Sequence, residues 1–139
     1  MNKKQTGFTL VELLVVLIIL GLVASIAGPN VMKYLGTSKA KTAKLQIKEI
    51  ESSLELLFLD TGKYPSSASG LKLLIDNEAS VAGWNGPYFK IAELPLDPWG
   101  NAYIYQAPGE HGVFDLLSLG ADNQPGGEGD DEDITNWKK

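Results

Sequence analysis

Residues 8–27, FTLVELLVVLIILGLVASIA, form a 20-residue run that carries one charge, Glu12. Twenty helical residues rise about 30 Å, the thickness of one hydrocarbon core. From Leu13 to Leu20 every side chain is apolar, so a helix here has no polar stripe to turn toward water. That favours a membrane helix over an amphipathic surface helix. A removed secretory signal is the competing reading, because Lys3 and Lys4 precede the run and Ser25-Ile26-Ala27 offers a small-x-small cleavage site. Against it, such a signal has a shorter apolar core and carries no carboxylate. The lysines point both ways: two precede the run, while Lys33, Lys39, Lys41 and Lys44 follow it. A simple count of flanking charges would leave the C-terminal part in the cytoplasm.

Beyond the run, Gly28-Pro29 predicts either a kink or the start of a new helix, since proline removes a helix hydrogen bond and crowds the preceding turn. Ala43, Ile47, Ile50, Leu54, Leu57 and Phe58 then recur at three- to four-residue spacing, with Lys44, Lys48, Glu51 and Glu55 on other faces. This is an amphipathic helix with one stripe to bury. A nearly continuous helix over 8–59 would reach about 78 Å, longer than a small domain can cover. Its first half must therefore pack on lipid or on other subunits. Asp60 to Pro65 ends the helix, with Gly62 as the C-cap. Residues 70–77, GLKLLIDN, read as a short helix; 102–106 and 113–118 read as antiparallel strands joined by a turn over 107–112. Trp84, Tyr88 and Trp99 lie in turn-rich segments and are read as packing groups.

The 12 basic residues are all lysines, the acids number 17, and cysteine is absent. No disulfide scaffold, thiolate metal site or cysteine nucleophile is possible. A net charge of −5 without arginine argues against nucleic acid as a partner. The single His111 lies in a Pro-Gly-Glu-His-Gly turn and is read as a surface residue; Ser118 has no nucleophile motif around it. With no phosphate loop or dinucleotide pattern either, the chain is not read as an enzyme. Six acids, Asp122, Glu128, Asp130, Asp131, Glu132 and Asp133, crowd a glycine-rich segment. Such a run is either a solvated loop or an oxygen-rich site for a hard cation such as Ca²⁺. It is not an EF-hand, whose pattern fails at Gln124. A small head without disulfides gives a structural metal a reason to be there.

The segment Lys3-Lys4-Gln5-Thr6-Gly7-Phe8-Thr9-Leu10-Val11-Glu12 resembles the prepilin signature of type IV pilins and type II secretion pseudopilins. The stretches Thr61 to Pro65, Leu96 to Asn101, Ser118 to Asp122 and Asp133 to Trp137 extend the resemblance to the major pseudopilins of type II secretion. It spans essentially the whole chain. The lack of cysteine separates it from type IV major pilins, which usually close their C-terminal region with a disulfide.

The resemblance implies an α+β, type IV pilin-like fold: a long N-terminal helix whose second half packs on a small antiparallel sheet, with a calcium-binding C-terminal loop over 118–134. Residues 1–7 would be a leader removed by prepilin peptidase, which cuts between Gly7 and Phe8 and N-methylates Phe8. Residues 8–28 would be the transmembrane and filament-core helix, 29–60 the amphipathic helix, and 61–139 the periplasmic head. The leader would be cytoplasmic and the protein single-pass in the inner membrane, which sets aside the lysine count. Glu12, a shallow solvated carboxylate on its position alone, would pair with the Phe8 amine of a neighbouring subunit. Asp122, Asp133 and the Leu119 carbonyl would hold Ca²⁺, with Asp130 and Asp131 as further candidates. The implied partners are further copies of the chain in a helical homopolymer, minor pseudopilins and the inner-membrane assembly platform. The rival readings are a type IV pilin or minor pseudopilin and, from another class, a monomeric membrane-tethered calcium-binding module.

Overall fold

A computed structural model describes residues 7–89 and 93–138. The expected leader, apart from Gly7, lies outside the described residues. Helix α1 spans Leu10–Thr61, and the chain divides into two units, one ending at Leu35 and one beginning at Gly36.

In the first unit the apolar side chains have no partner. Leu10, Leu13, Leu17, Leu20 and Ile26 are all more than half exposed, and even Val15, the least exposed of the run, stands at 46%. Local structure at its N-terminus is set by a capping box. The Thr9 N–H and hydroxyl both donate to Glu12 Oε2, at 2.8 and 2.9 Å, and the Glu12 N–H donates back to Thr9 Oγ1 at 3.3 Å. The helical assignment runs without interruption through Gly28 and Pro29, so no new helix begins at Pro29.

In the second unit α1 buries the predicted stripe. Ala43, Ile50, Leu54 and Leu57 are fully buried and Ile47 is 2% exposed. Phe58 departs from that expectation: it is 40% exposed and stacks its ring on Tyr64, centroids 4.7 Å apart. Tyr64 meets Phe114, and Phe114 meets Tyr105, so an aromatic chain runs from the helix end to the sheet. Gly62 takes the left-handed conformation at φ 71° and donates to the Phe58 carbonyl, ending α1 as its sequence indicates.

The segment read as a helix over 70–77 is a shorter 3-10 turn, Gly70–Leu74, which buries Leu71, Leu73 and Leu74. It stops because the Lys72 carbonyl accepts from both Ile75 and Asp76. Three antiparallel strands follow: β1 Ile104–Gln106, β2 Asp115–Ser118 and β3 Ile134–Thr135, with β2 central. Both expected strands are present but shorter, and β3 pairs Ile134 with Ser118 and Thr135 with Leu117. The core joins Leu116 and Ile134 from the sheet, Ala43 to Leu57 of the α1 stripe, the leucines of the 3-10 turn, Phe89 and Tyr103. Trp84 and Tyr88 pack edge to face, the Trp84 indole donating to the Leu73 carbonyl and the Tyr88 hydroxyl to Asp60.

Candidate functional site

The N-terminal determinants lie together at the start of α1. Gly7 and Phe8 precede the helix in non-helical backbone, with Phe8 83% exposed. Such a segment is open to a peptidase. Glu12 is the third residue of α1, in its first turn, and closes the capping box that begins at Thr9. Sequence reasoning leaves Glu12 as a shallow solvated carboxylate or a partner for a neighbouring Phe8 amine, and misses its local contact with Thr9. The Thr-x-x-Glu spacing before an apolar run was the signal for its local role. Its carboxylate thus satisfies one otherwise unpaired backbone donor at the helix N-terminus, the Thr9 N–H.

At the other end of the chain, two motifs form one buried network. Asp97, 4% exposed, accepts from the Trp99 and Asn101 N–H groups through Oδ1, at 3.0 and 2.8 Å. Its other oxygen accepts from the fully buried Ser118 hydroxyl at 2.5 Å. Ser118 Oγ in turn accepts from the Gly120 N–H, and the Asn101 amide donates to the Gly120 carbonyl. Ser118 is therefore a tie between the 96–101 turn and the start of the acidic loop. Neither motif reveals the partnership in sequence, because the residues are 21 positions apart.

The acidic loop leaves β2 through Gly120, which adopts φ 68° and lies so close to the backbone of Asp130 and Asp131 that a side chain would not fit. The Ala121 N–H donates to the Asp130 carbonyl at 2.9 Å, closing the loop's base. Asp122 Oδ1 accepts from the Gln124 N–H. Asp133 Oδ2 accepts from the Gly126 N–H at 2.9 Å, while Asp133 Oδ1 is buried and has no hydrogen-bond partner. Asp130 points at α1, its carboxylate occupying the space where a Cβ of the buried Gly36 would be. Asp131 lies in a 3-10 turn over Gly129–Asp131, half-exposed. Among the described residues no group of three or more Asp, Glu or His side chains is gathered for a metal. Any cation here must complete its shell from backbone carbonyls, as Ca²⁺ readily does. A buried, unpaired carboxylate oxygen is costly by itself, and a hard cation is the partner that fits it.

His111 is more than a surface turn residue. Its ring stacks on Trp137 with centroids 4.0 Å apart and planes 3° apart, and its Nδ1 is 2.9 Å from Asp115 Oδ2. Burial raises the Asp115 pKa. The His111 side chain and the Glu110 and His111 N–H groups more than offset this, holding the carboxyl below its ordinary value of 3.8.

The comparisons with known proteins agree with this architecture. A family model described as "Type II secretion system (T2SS), protein G" matches residues 30–137, and one described as "Prokaryotic N-terminal methylation motif" matches residues 2–28. The chain belongs to the type II secretion system protein G family. The type II secretion system core protein G of Pseudomonas aeruginosa is 44% identical over 139 residues, covering 98% of this chain and 97% of the relative. Its counterpart in Vibrio cholerae is 42% identical over 138 residues, covering 97% and 93%. The crystal structure of the major pseudopilin from the type 2 secretion system of enterohaemorrhagic Escherichia coli superposes with a TM-score of 0.64 at 29% identity. It covers 78% of this chain and 95% of that one. The family is one of structural pseudopilin subunits, not enzymes.

Proposed function

We propose that this major pseudopilin polymerises into the periplasmic filament of a type II secretion system and so drives export of folded proteins across the outer membrane. The observation that carries the reading is the contrast within α1. One half is apolar, wholly exposed and long enough to cross a membrane, and the other half is buried in a head that supplies its own core. A helix built that way needs lipid first and neighbouring helices afterwards. Prepilin peptidase would cut between Gly7 and Phe8 and methylate Phe8, in keeping with the methylation-motif match over residues 2–28. Removal of Lys3 and Lys4 with the leader takes the formal charge from −5 to −7.

Before assembly the chain would be single-pass in the inner membrane, N-terminus cytoplasmic and head periplasmic. Glu12 would exchange its capping partner for the Phe8 amine of an adjacent subunit, fixing axial register by a charge pair removed from water. Minor pseudopilins and the inner-membrane assembly platform would be its further partners. Ca²⁺ would be held by Asp122, Asp133 and the Leu119 carbonyl, with further backbone carbonyls of the loop completing the shell, since Asp130 turns to α1. It would offset two of the loop's six negative charges and order it for contact between heads.

The test is electron microscopy of the assembled polymer with wild-type chain and with Glu12→Ala. Glu12→Ala is expected to be processed and inserted normally yet to form few filaments; normal filaments would remove the assembly role. A thermal melt of the protein in calcium and in chelator tests the metal, and coincident melts would exclude it.

A further inference from the structure

The second unit carries an open groove of about 680 Å³ between α1 and the C-terminal strand. Its rim is basic: Lys41, Lys44 and Lys48 project from α1 at helical spacing, and Lys138 faces them from beyond β3. Its apolar lining comes from Ile47 and from Leu45, which is 67% exposed. Glu51 and the polar residues Thr135 and Asn136 complete the lining. Among the described residues none of these four lysines forms an ion pair. The acids of the 122–133 loop likewise form none. A smaller cleft beside the groove holds Lys44 and Lys138 together with Glu132 and Asp133, and even there no ion pair closes.

The molecule therefore carries two unsatisfied surfaces of opposite sign, one concave and one a glycine-rich loop. Gly126 and Gly129 sit at positive φ with open space around them, and Glu128 between them is exposed. We propose that the lysine groove of one subunit receives the acidic loop, led by Glu128, of a second copy of this chain. Complementary patches at different places on one molecule make a heterologous contact, and repetition of such a contact generates an open helical array rather than a closed dimer. Leu45 supplies apolar area to bury, while the lysines set register and favour the right encounter. This rests on the reading of the chain as a filament subunit and assigns that filament a specific contact between heads.

The absence of native cysteine permits a direct test in the full-length chain, in calcium-containing medium. Chains bearing Lys48→Cys and Glu128→Cys are co-expressed, and filaments are oxidised and analysed by mass. The mixed pair is expected to give a covalent heterodimer, with Lys48→Cys alone giving little product. Filaments with no heterodimer would overturn the contact while leaving the filament reading intact, whereas a wild-type chain that never polymerises would defeat both.

Charge exchange provides the second measurement. Lys41→Glu with Lys48→Glu should reduce filament yield roughly tenfold or more, because like charges then face each other. Glu128→Lys with Glu132→Lys should do the same, and the four-fold variant should recover most of the yield. Thermal melts of each variant check that the head stays folded. Loss of binding to vesicles containing phosphatidylglycerol, without recovery in the four-fold variant, would instead make the groove an anionic-lipid site and overturn the proposal.

Discussion

The two halves of α1 are the same secondary structure with opposite side-chain fates. Between Leu10 and Ile26 the large apolar side chains stand between 46% and 82% exposed, whereas Ala43, Ile47, Ile50, Leu54 and Leu57 are at 2% or less. The difference lies in how apolar residues are arranged around the helix. The second half confines them to a stripe at alternating spacings of four and three, which one sheet and one 3-10 turn can cover. The first half is apolar on every side, and no element of a small head can cover all of it. Periodicity here separates a helix that folds its own domain from one that must be completed by lipid or by other chains.

That contrast can be broken most sharply by truncating one leucine on each side of it. Leu54→Ala should cost the head about 2–5 kcal/mol, the range for fully buried leucines, measured as a shift in denaturant midpoint. Leu17→Ala should leave the head's midpoint within about 0.5 kcal/mol, as expected for a site without packed neighbours. An equal effect of the two would erase the distinction.

A next smaller effect probes polar rather than apolar order in the head. Ser118→Ala leaves a buried Asp97 oxygen without its hydroxyl donor, and should cost about 1–3 kcal/mol. Asp97→Ala should cost at least as much, since it also frees the Trp99 and Asn101 N–H groups. A double-mutant cycle of the two should show strong coupling; additive losses would mean that the 2.5 Å contact does not hold the two loops together.

Acid tests the head in a third way. The Asp115 carboxyl is held below its ordinary 3.8 in the folded state. It therefore contributes stability that is complete above that value and is lost as pH falls through the lower, folded value. Asp115→Asn should flatten this part of the acid limb of the stability curve, and His111→Ala should shift it to higher pH by a smaller amount. An unchanged limb in both variants would detach the pair from folding stability.

The smallest effect belongs to the anchor. Thr9→Ala removes the reciprocal cap of Glu12, worth about 1 kcal/mol in typical helices. Amide exchange in detergent should speed up in the first turn of α1 only, with the amides of Ile50 to Leu57 unaffected. Faster exchange across the whole helix would mean that its halves do not act independently.

These contrasts also show what the chain declares locally. The expected helix over 8–59 and the observed α1, Leu10–Thr61, differ by two residues at each end, because Gly62 is a strong stop and the capping box at Thr9 delays the start. The stripe from Ala43 to Leu57 was legible because each residue needs only its spacing to be read. Strand β3 was not, since two residues carry no alternation; Ile134 and Thr135 become a strand by pairing with Leu117 and Ser118. The same limit hid Asp97–Ser118 and Gly36–Asp130, partnerships created by chain reversal. Acidic residues in the loop were visible as a group, but their divergence was not: Asp130 turns to the helix, Asp122 caps its own turn, and Asp133 keeps one buried oxygen unpaired.

The capping box at Thr9 and Glu12 has a consequence for timing. A bare carboxylate at the edge of a bilayer would seek any available cation, including the amine of a misaligned neighbour. With two donors of Thr9 already on Oε2, the waiting subunit holds its own placeholder. An incoming amine would gain only the difference between an ion pair and two charge-assisted hydrogen bonds. In the proposed assembly, poorly aligned encounters would then dissolve, and the exchange would go to completion only where the helices also pack along their length. On the proposed pairing of Glu12 with a neighbouring amine, Thr9 would lower the reward for a partial fit and leave the reward for a full one nearly intact.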